Sequence, residues 1–208
     1  MKKLGILGAS GHGKVVADAA KRNGLWDSID FFDDNYPKQT QVGKYTVIGG
    51  FSDLMLLSDS HEAVIAIGDN NVRLQKQLEL ESNGFNIATV IHPASHIAND
   101  VEISPGTVVF AGAIINPGAK VGKACIVNSN AVVEHDCLLS NAIHISPGAC
   151  LAGGVSIGES SWVGIGSSII QLINIGKNVI IGAGSTVIND IPHNTTAAGS
   201  PARQIGNK

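Results

Sequence analysis

The second half of the chain carries an aliphatic residue at every sixth position. Sixteen consecutive such positions, from Ile97 to Val187, hold Ile, Val or Leu. Four residues after most of them comes a small or aliphatic side chain, and Gly, Asn, Asp, Ser and Pro fill the places between. A period of six fits no α-helix and is typical of a parallel β-helix, in which short strands stack coil over coil. The pattern therefore predicts a β-helix with one continuous aliphatic core.

The first ninety or so residues have a mixed pattern of short apolar runs and helical segments. We predict strands at 4–7, 29–32, 63–67 and 87–91, and helices at 14–22 and 72–82. Strands that alternate with helices predict a small parallel α/β domain of Rossmann-like type. Because the period changes to six near Pro93, the chain is expected to form two domains, residues 1–92 and 93–208.

The composition fits a narrow β-helix and argues against nucleic acid and membrane partners. Aromatic residues make up only 4% of the chain and glycines number 25, as expected where the interior admits aliphatic side chains but few rings. The net charge is −3, and the absence of a Lys/Arg run or of a long apolar stretch argues against nucleic acid and membrane partners. Cys125 and Cys137 fall on small inward positions of the repeat. We therefore expect buried free thiols and a cytoplasmic location.

The first strand runs into a glycine-rich turn, residues 8–13, and then into a helix. Such a turn lets the backbone approach a phosphate, and the helix N-terminus offers free N–H groups. Asp33 and Asp34 close the second strand, and Gly68 follows a later one, so all of these should meet at the carboxyl edge of the sheet. The spacing G-x-x-G-x-G differs from the dinucleotide fingerprint, and the sequence offers no second βαβ half, so we predict a site for one nucleotide. A glycine-rich turn without any ligand is the alternative.

One turn of the repeat contains the titratable cluster Glu134-His135-Asp136. A histidine titrates near neutral pH, and a neighbouring carboxylate can hold its tautomer, so His135 is a candidate general base. A solvated surface histidine is the alternative. His144 lies nine residues on, half of an 18-residue coil, and should point away from His135. The two could share a site only across a subunit boundary, where Asn128 is a further polar candidate.

Six segments together resemble a known enzyme family. GASGHG, FFDD, IAIGDNNVR, VVEHDC, AIHISPGACLAGG and GSPAR occur in this order over the whole chain. They resemble the sugar acyltransferases of the sialic acid O-acetyltransferase and UDP-N-acetylbacillosamine N-acetyltransferase type. The resemblance implies a left-handed β-helix, a homotrimer with active sites between adjacent prisms, and acetyl-CoA along the coils. It also implies a nucleotide-linked amino sugar, expected to be a UDP-sugar, in the N-terminal domain and a role in glycan biosynthesis without a metal.

The resemblance also assigns roles to individual residues. His135 matches the general base and Asp136 its acidic neighbour, where related sequences carry Glu. The substrate-binding positions are Ser10, Gly11, His12, Asp33, Asp34, Gly68 and Asn128, and the positions that contact CoA are His144, Ile165 and Ala183. The implied mechanism is N-acetylation of a sugar 4-amino group by direct transfer, with no acyl-enzyme.

Three alternatives stay open from the sequence. The first is O-acetylation of sialic acid or another glycan hydroxyl, which uses the same base and differs only in the acceptor pocket. The second is a zinc carbonic anhydrase, which would need a third histidine beside His135 and His144, and the repeat offers only His96 and His193. The third is a scaffolding β-helix that binds no acetyl-CoA.

Overall fold

The structure, a computed structural model, describes residues 1–207 and forms two compact units, Met1–Pro93 and a second one from Ala94 onward. The first unit contains strands β1 (Lys3–Leu7), β2 (Ser28–Phe32), β3 (Gln41–Val42), β4 (Tyr45–Gly49), β5 (His61–Ile65) and β6 (Val90–Ile91). Its helices are α1 (Gly11–Asn23), α2 (Phe51–Leu54) and α3 (Asn70–Ser82), and a 3-10 turn covers Met55–Leu57.

The first unit is built on a five-stranded sheet in the order β3-β4-β2-β1-β5. Strand β1 lies between β2 and β5 and runs parallel to both, and only β3 is antiparallel to its neighbour. Leu7, Phe32, Ile65 and Leu80 belong to the apolar core. Because β1, β2 and β5 are parallel, the loops that follow them meet at one edge of the sheet.

Several element boundaries differ from those expected. Helix α1 begins at Gly11 rather than Lys14, since glycines of a tight turn can continue into the first helical turn. The strand expected at 63–67 is β5, two residues earlier, and the one expected at 87–91 is shortened to Val90–Ile91. The segment β3-β4-α2 was not predicted, and in it β4 alternates between exposed and buried residues while the two-residue β3 forms the edge of the sheet.

The second unit contains sixteen consecutive strands of two residues each, β7 to β22. They are His96–Ile97, Glu102–Ile103, Val108–Val109, Ile114–Ile115, Lys120–Val121, Ile126–Val127, Val132–Val133, Leu138–Leu139, His144–Ile145, Cys150–Leu151, Ser156–Ile157, Trp162–Val163, Ser168–Ile169, Asn174–Ile175, Ile180–Ile181 and Thr186–Val187. Strands β23 (Thr195–Gly199) and β24 (Ala202–Asn207) follow as an antiparallel pair. Each of the sixteen short strands ends on the aliphatic residue of its hexad.

The short strands form three faces of a parallel β-helix. Face 1 contains β7, β10, β13, β16, β19 and β22, face 2 contains β8, β11, β14, β17 and β20, and face 3 includes β9, β12, β15, β18, β21 and β23. From β7 to β22, partners on one face lie 18 residues apart, as in the pairing of Ile115 with Val133, so three hexads make one coil. The predicted fold class, an α/β domain followed by a hexapeptide β-helix, is confirmed.

The aliphatic positions form the core of this β-helix. All of them from Val109 to Val187 are buried, whereas Ile97 and Ile103 of the first coil are half-buried. Cys125 and Cys137 are buried free thiols as expected, and Cys150 is free and exposed. In the described part of the chain, no helix is both long and apolar enough to cross a membrane.

Candidate active site and nucleotide site

The His135-Asp136 pair lies in the turn between β13 and β14, at the corner where face 1 meets face 2. The Nδ1 atom of His135 is 2.8 Å from Oδ2 of Asp136, a hydrogen bond between neighbouring residues. Asp136 has a φ of 59°, in the left-handed region that Asp tolerates better than most residues. A carboxylate one methylene shorter than Glu therefore still reaches the ring.

The environment of His135 favours its protonated form. The hydrogen bond that Asp136 accepts from the ring raises the pKa of His135 above 6.5, and the charges of Asp136 and Glu134 act in the same direction. Both side chains of the pair are largely in solvent, with 62% of His135 and 73% of Asp136 exposed. The imidazole is thus an accessible base whose Nε2 is left for a ligand, since Nδ1 faces the carboxylate.

An apolar groove of about 370 Å³ runs along face 3. His144, Ile165 and Ala183, the three residues expected to contact CoA, all line this groove. Its lining also includes Trp162, which the sequence analysis did not single out. The Trp162 ring stacks on His144 with centroids 5.3 Å apart and an interplanar angle of 11°. Because strand partners lie 18 residues apart, Trp162 could have been found one coil beyond His144.

Asn128 lies beside the groove rather than beside His135. Its Nδ2 is 3.2 Å from Nε2 of His144, and its Oδ1 accepts a hydrogen bond from the Ser129 N–H at 2.8 Å. In a three-faced prism, the corner between faces 1 and 2 is opposite face 3. The structure therefore places His135 on one side of the prism, and Asn128, His144 and the groove on the other.

In the first unit, the glycine-rich turn is held by its backbone. Gly8 has a φ of 115°, and a Cβ atom there would lie 2.6 Å from the Ala66 carbonyl oxygen. Gly13 packs against the Gly8 carbonyl, so neither position accommodates a side chain. Ser10 is the residue that precedes α1, and its side chain makes no capping hydrogen bond to the helix. This turn therefore presents backbone, Ser10 and Gly11 at the start of the helix.

Asp33 and Asp34 lie at the end of β2 and already have structural partners. Asp33 Oδ2 accepts a hydrogen bond from the Ala9 N–H at 2.8 Å, which ties β2 to the glycine-rich turn. Asp34 Oδ1 accepts from the Phe51 N–H at 2.8 Å, at the start of α2. The two acids thus shape the edge of the site, and their remaining lone pairs can still accept hydrogen bonds from a ligand.

The buried Arg73 is the residue of this edge that the sequence analysis missed. Only 1% of Arg73 is exposed, and its Nη1 donates to the carbonyl oxygens of Ile67 at 3.0 Å and Gly68 at 3.1 Å. Burial, together with the charge of Arg73, lowers the pKa of His12 to about 4, so His12 is neutral at pH 7. The structure thus brings Gly68 and His12 together around one guanidinium.

The histidines of the zinc alternative lie at different heights along the β-helix. His96 is two coils before the strand that precedes His135, and His193 is about three coils beyond it. At about 4.8 Å per coil these separations are roughly 10 and 15 Å, far beyond a Zn–N bond of about 2 Å. Within residues 1–207, no three His, Cys, Asp or Glu side chains converge on a metal-sized position.

Comparisons with known proteins agree on both units. Residues 3–80 match the PglD N-terminal domain family. The acetyltransferase domain of PglB from Neisseria gonorrhoeae FA1090, solved in complex with acetyl coenzyme A, is 39% identical with a TM-score of 0.94 over 98% of both chains. PerB from Caulobacter crescentus, solved in complex with CoA and GDP-perosamine, is 34% identical with a TM-score of 0.92 over 98% of this chain and 97% of that one.

Curated relatives are matched over shorter stretches. UDP-N-acetylbacillosamine N-acetyltransferase of Bacillus subtilis (strain 168) is 40% identical over 114 residues, 53% of this chain. The chain spans about half the length of this relative and about a quarter of two fungal acetyltransferases.

A Rossmann-like unit followed by a hexapeptide β-helix with an apolar groove defines the class of hexapeptide-repeat acyltransferases. Within that class, the chain belongs to the sugar acetyltransferase family that includes PglB and PerB. The family resemblance that the sequence motifs carry is therefore confirmed.

Proposed function

We propose that this protein is an acetyl-CoA-dependent N-acetyltransferase that acts on the 4-amino group of a nucleotide-linked, most simply UDP-linked, deoxy sugar. The observation that carries the proposal is the accessible His135-Asp136 pair, with 2.8 Å between Nδ1 and the carboxylate. PglB and PerB, similar over nearly the whole chain, are described with acetyl coenzyme A, and with CoA and GDP-perosamine. The product would serve glycan biosynthesis.

In the proposed reaction, His135 removes a proton from the attacking sugar amine. Asp136 keeps the other ring nitrogen protonated, so the lone pair is on Nε2, and it stabilises the imidazolium that forms. The amine attacks the thioester carbonyl of acetyl-CoA, the C–S bond breaks, and the CoA thiolate leaves and takes up a proton. Cys125 and Cys137 are poor nucleophiles, because both are buried and burial raises the pKa of the Cys137 thiol. Cys150 is exposed, but its thiol is directed to the Gly148 carbonyl oxygen at 3.7 Å and not to a base.

The groove on face 3 fits the long, largely apolar arm of acetyl-CoA. Trp162 and His144 form a flat stacked wall, and the Trp162 Nε1 donates to Ser146 Oγ at 2.6 Å, which fixes the ring orientation. Ile165 is 57% exposed although it is apolar, which is typical of a residue that contacts a ligand or another chain. We infer that His144, Ile165 and Ala183 contact CoA in this groove.

The nucleotide portion of the substrate is assigned to the edge formed by residues 8–13, Asp33, Asp34 and Gly68. The start of α1 offers backbone N–H groups for phosphate, and the acids can accept hydrogen bonds from a ribose or base. Neutral His12 can make a hydrogen bond there without adding charge.

We propose a homotrimer, as the family resemblance implies, and the position of the base relative to the groove supports a site shared between chains. Since His135 and the groove lie on opposite sides of one prism, a single chain cannot bring the acetyl group to its own base along the prism surface. Two copies packed side by side would combine the His135 corner of one chain with the Asn128 and His144 side of the next. We propose that each active site is formed in this way.

The test is an acetyl-transfer assay with UDP- and GDP-linked 4-amino-4,6-dideoxy sugars, in which release of CoA is followed. We expect one nucleotide sugar to support release, and His135→Ala to reduce kcat by about 10²-fold or more. The control is His96→Ala, which removes another exposed histidine of the β-helix and should leave kcat unchanged.

The product distinguishes the alternatives. An amide resists mild alkali, whereas an acetate ester on a hydroxyl is cleaved, so an alkali-labile product would replace N-acetylation by O-acetylation. Full activity of His135→Ala would show that His135 is not the general base. A protein that binds no CoA would favour the alternative of a scaffolding β-helix.

A further inference from the structure

The His135 ring lies against a glycine of the next coil. Gly153 follows β16, the strand that pairs with β13, and a Cβ atom at Gly153 would be 2.5 Å from both Cε1 and Nε2 of His135. Real Cβ contacts are essentially never this short. The atoms affected are at the Nε2 end of the ring, where the proposed proton transfer occurs.

The backbone itself does not require glycine at this position. Gly153 is not among the residues with positive φ, whereas its neighbour Gly154 has a φ of 69°. An alanine at position 153 would therefore not be forced into the left-handed backbone conformation that L-residues disfavour. The main steric demand comes from the His135 ring, since the three atoms nearest to that Cβ position all belong to it.

The Asp136 carboxylate likewise lies against a glycine, in the coil that precedes it. A Cβ atom at Gly118, one coil before Asp136, would lie 2.6 Å from Asp136 Oδ1. There the backbone also favours glycine, because φ is 75°. His135 and Asp136 thus each lie against a glycine of an adjacent coil. Of the two glycines, only Gly153 has a backbone that also accepts alanine, so its replacement tests the steric effect by itself.

We propose that Gly153 is a positioning residue: the missing side chain provides the space in which the His135 ring keeps its hydrogen bond to Asp136 and exposes Nε2 to the acceptor amine. This inference rests on the proposed function, in which His135 is the base. A methyl group at 153 displaces the ring, because a side chain end in solvent moves more easily than the coil backbone, and a displaced ring loses the 2.8 Å geometry of its hydrogen bond to Asp136.

The experiment compares Gly153→Ala, His135→Ala and the double variant in the acetyl-transfer assay. Gly153→Ala should lower kcat by about 10²-fold, the typical effect of a displacement of about 1 Å at a reacting group, with KM for acetyl-CoA unchanged. The acid limb of kcat/KM should move to lower pH, because the displaced ring loses the partner that raises its pKa. In the His135→Ala background, Gly153→Ala should cause no further loss of kcat.

Two measurements separate positioning from folding. The Tm of Gly153→Ala should be unchanged or higher by up to about 3 °C, as for Gly→Ala where the backbone allows it. The Cε1 proton signal of His135, followed by NMR without turnover, should titrate at lower pH in the variant. Gln171→Ala, at the same corner position one coil further on, is the control and should keep normal kcat and pH profile.

Each outcome decides a different point. Normal kcat and titration in Gly153→Ala, with His135→Ala inactive, would overturn the positioning role and leave the proposed function standing. Full activity of His135→Ala would instead refute the base itself. A fall in Tm of more than about 10 °C would show that the coil needs glycine for folding, and would also overturn the inference.

Discussion

Replacement of Asp136 by Asn tests how the pair works. Asn is nearly isosteric and, like Asp, tolerates the left-handed backbone that a φ of 59° requires. Its amide oxygen can still accept the Nδ1–H bond at the 2.8 Å separation, so the change removes charge while it leaves the ring position intact. A substitution by Ala would mix backbone strain with the electrostatic effect.

The expected effect follows from the exposure of the pair. Since 73% of the Asp136 side chain is in solvent, its charge is well screened, and the loss should be much smaller than that of the base itself. We expect the plateau of kcat/KM to fall by about 10-fold, against about 10²-fold or more for His135→Ala. Asp136 is the largest cause of the raised pKa of His135, so that pKa should fall toward 6.5.

The direction of the pH effect is fixed by the mechanism. The base acts when it is unprotonated, so activity rises with pH through the pKa of His135, and a lower pKa moves this acid limb to lower pH. The difference in kcat/KM between the unmodified protein and Asp136→Asn should therefore become smaller at acid pH. The assay is kcat/KM from pH 5.5 to 8.5, with CoA thiol measured by a reagent that reacts in acid.

Glu134→Gln is the matched control for this experiment. Glu134 lies in the same turn, and its charge is the smallest of the contributions that raise the pKa of His135. The acid limb should move in the same direction but less than in Asp136→Asn. An acid limb that stays in place in Asp136→Asn would refute the assignment of that limb to His135, and a loss as large as that of His135→Ala would refute a purely electrostatic role.

Two further predictions concern the groove and the glycine-rich turn. Trp162→Ala should raise KM for acetyl-CoA by about 10-fold with little change in kcat, because it removes a half-exposed aromatic wall of the groove but no group near the base. An unchanged KM would mean that CoA binds elsewhere. Gly8→Ala should destabilise the protein by about 3 kcal/mol in urea unfolding, since the new Cβ would lie 2.6 Å from a carbonyl oxygen at a φ of 115°. Gly11→Ala, where nothing lies within 4 Å, is its control and should cost no more than a few tenths of a kcal/mol, so equal losses in the two variants would contradict the steric account.

The hexad pattern was sufficient to predict the β-helix, its coil length and its core. Strand and turn are each formed by a few neighbouring residues, so the pattern repeats locally and the stacking at 18 residues follows from it. The pair of His135 and Asp136 was predictable for the same reason, because its two residues are adjacent in one turn. The motifs also predicted the family.

The tertiary structure determined which neighbouring side chains make contact. The 18-residue register places Trp162 one coil beyond His144 and Gly153 one coil beyond His135, but the ring stacking and the close approach of the His135 ring to Gly153 depend on side-chain packing. The sequence pattern predicts Arg73 as a surface charge on a helix, yet its side chain is buried and donates to carbonyl groups of the loop that follows β5. Local pattern determines the path of the chain, whereas contacts between distant residues depend on packing that no short segment contains, and these contacts create the groove, the position of the base and the neutral state of His12.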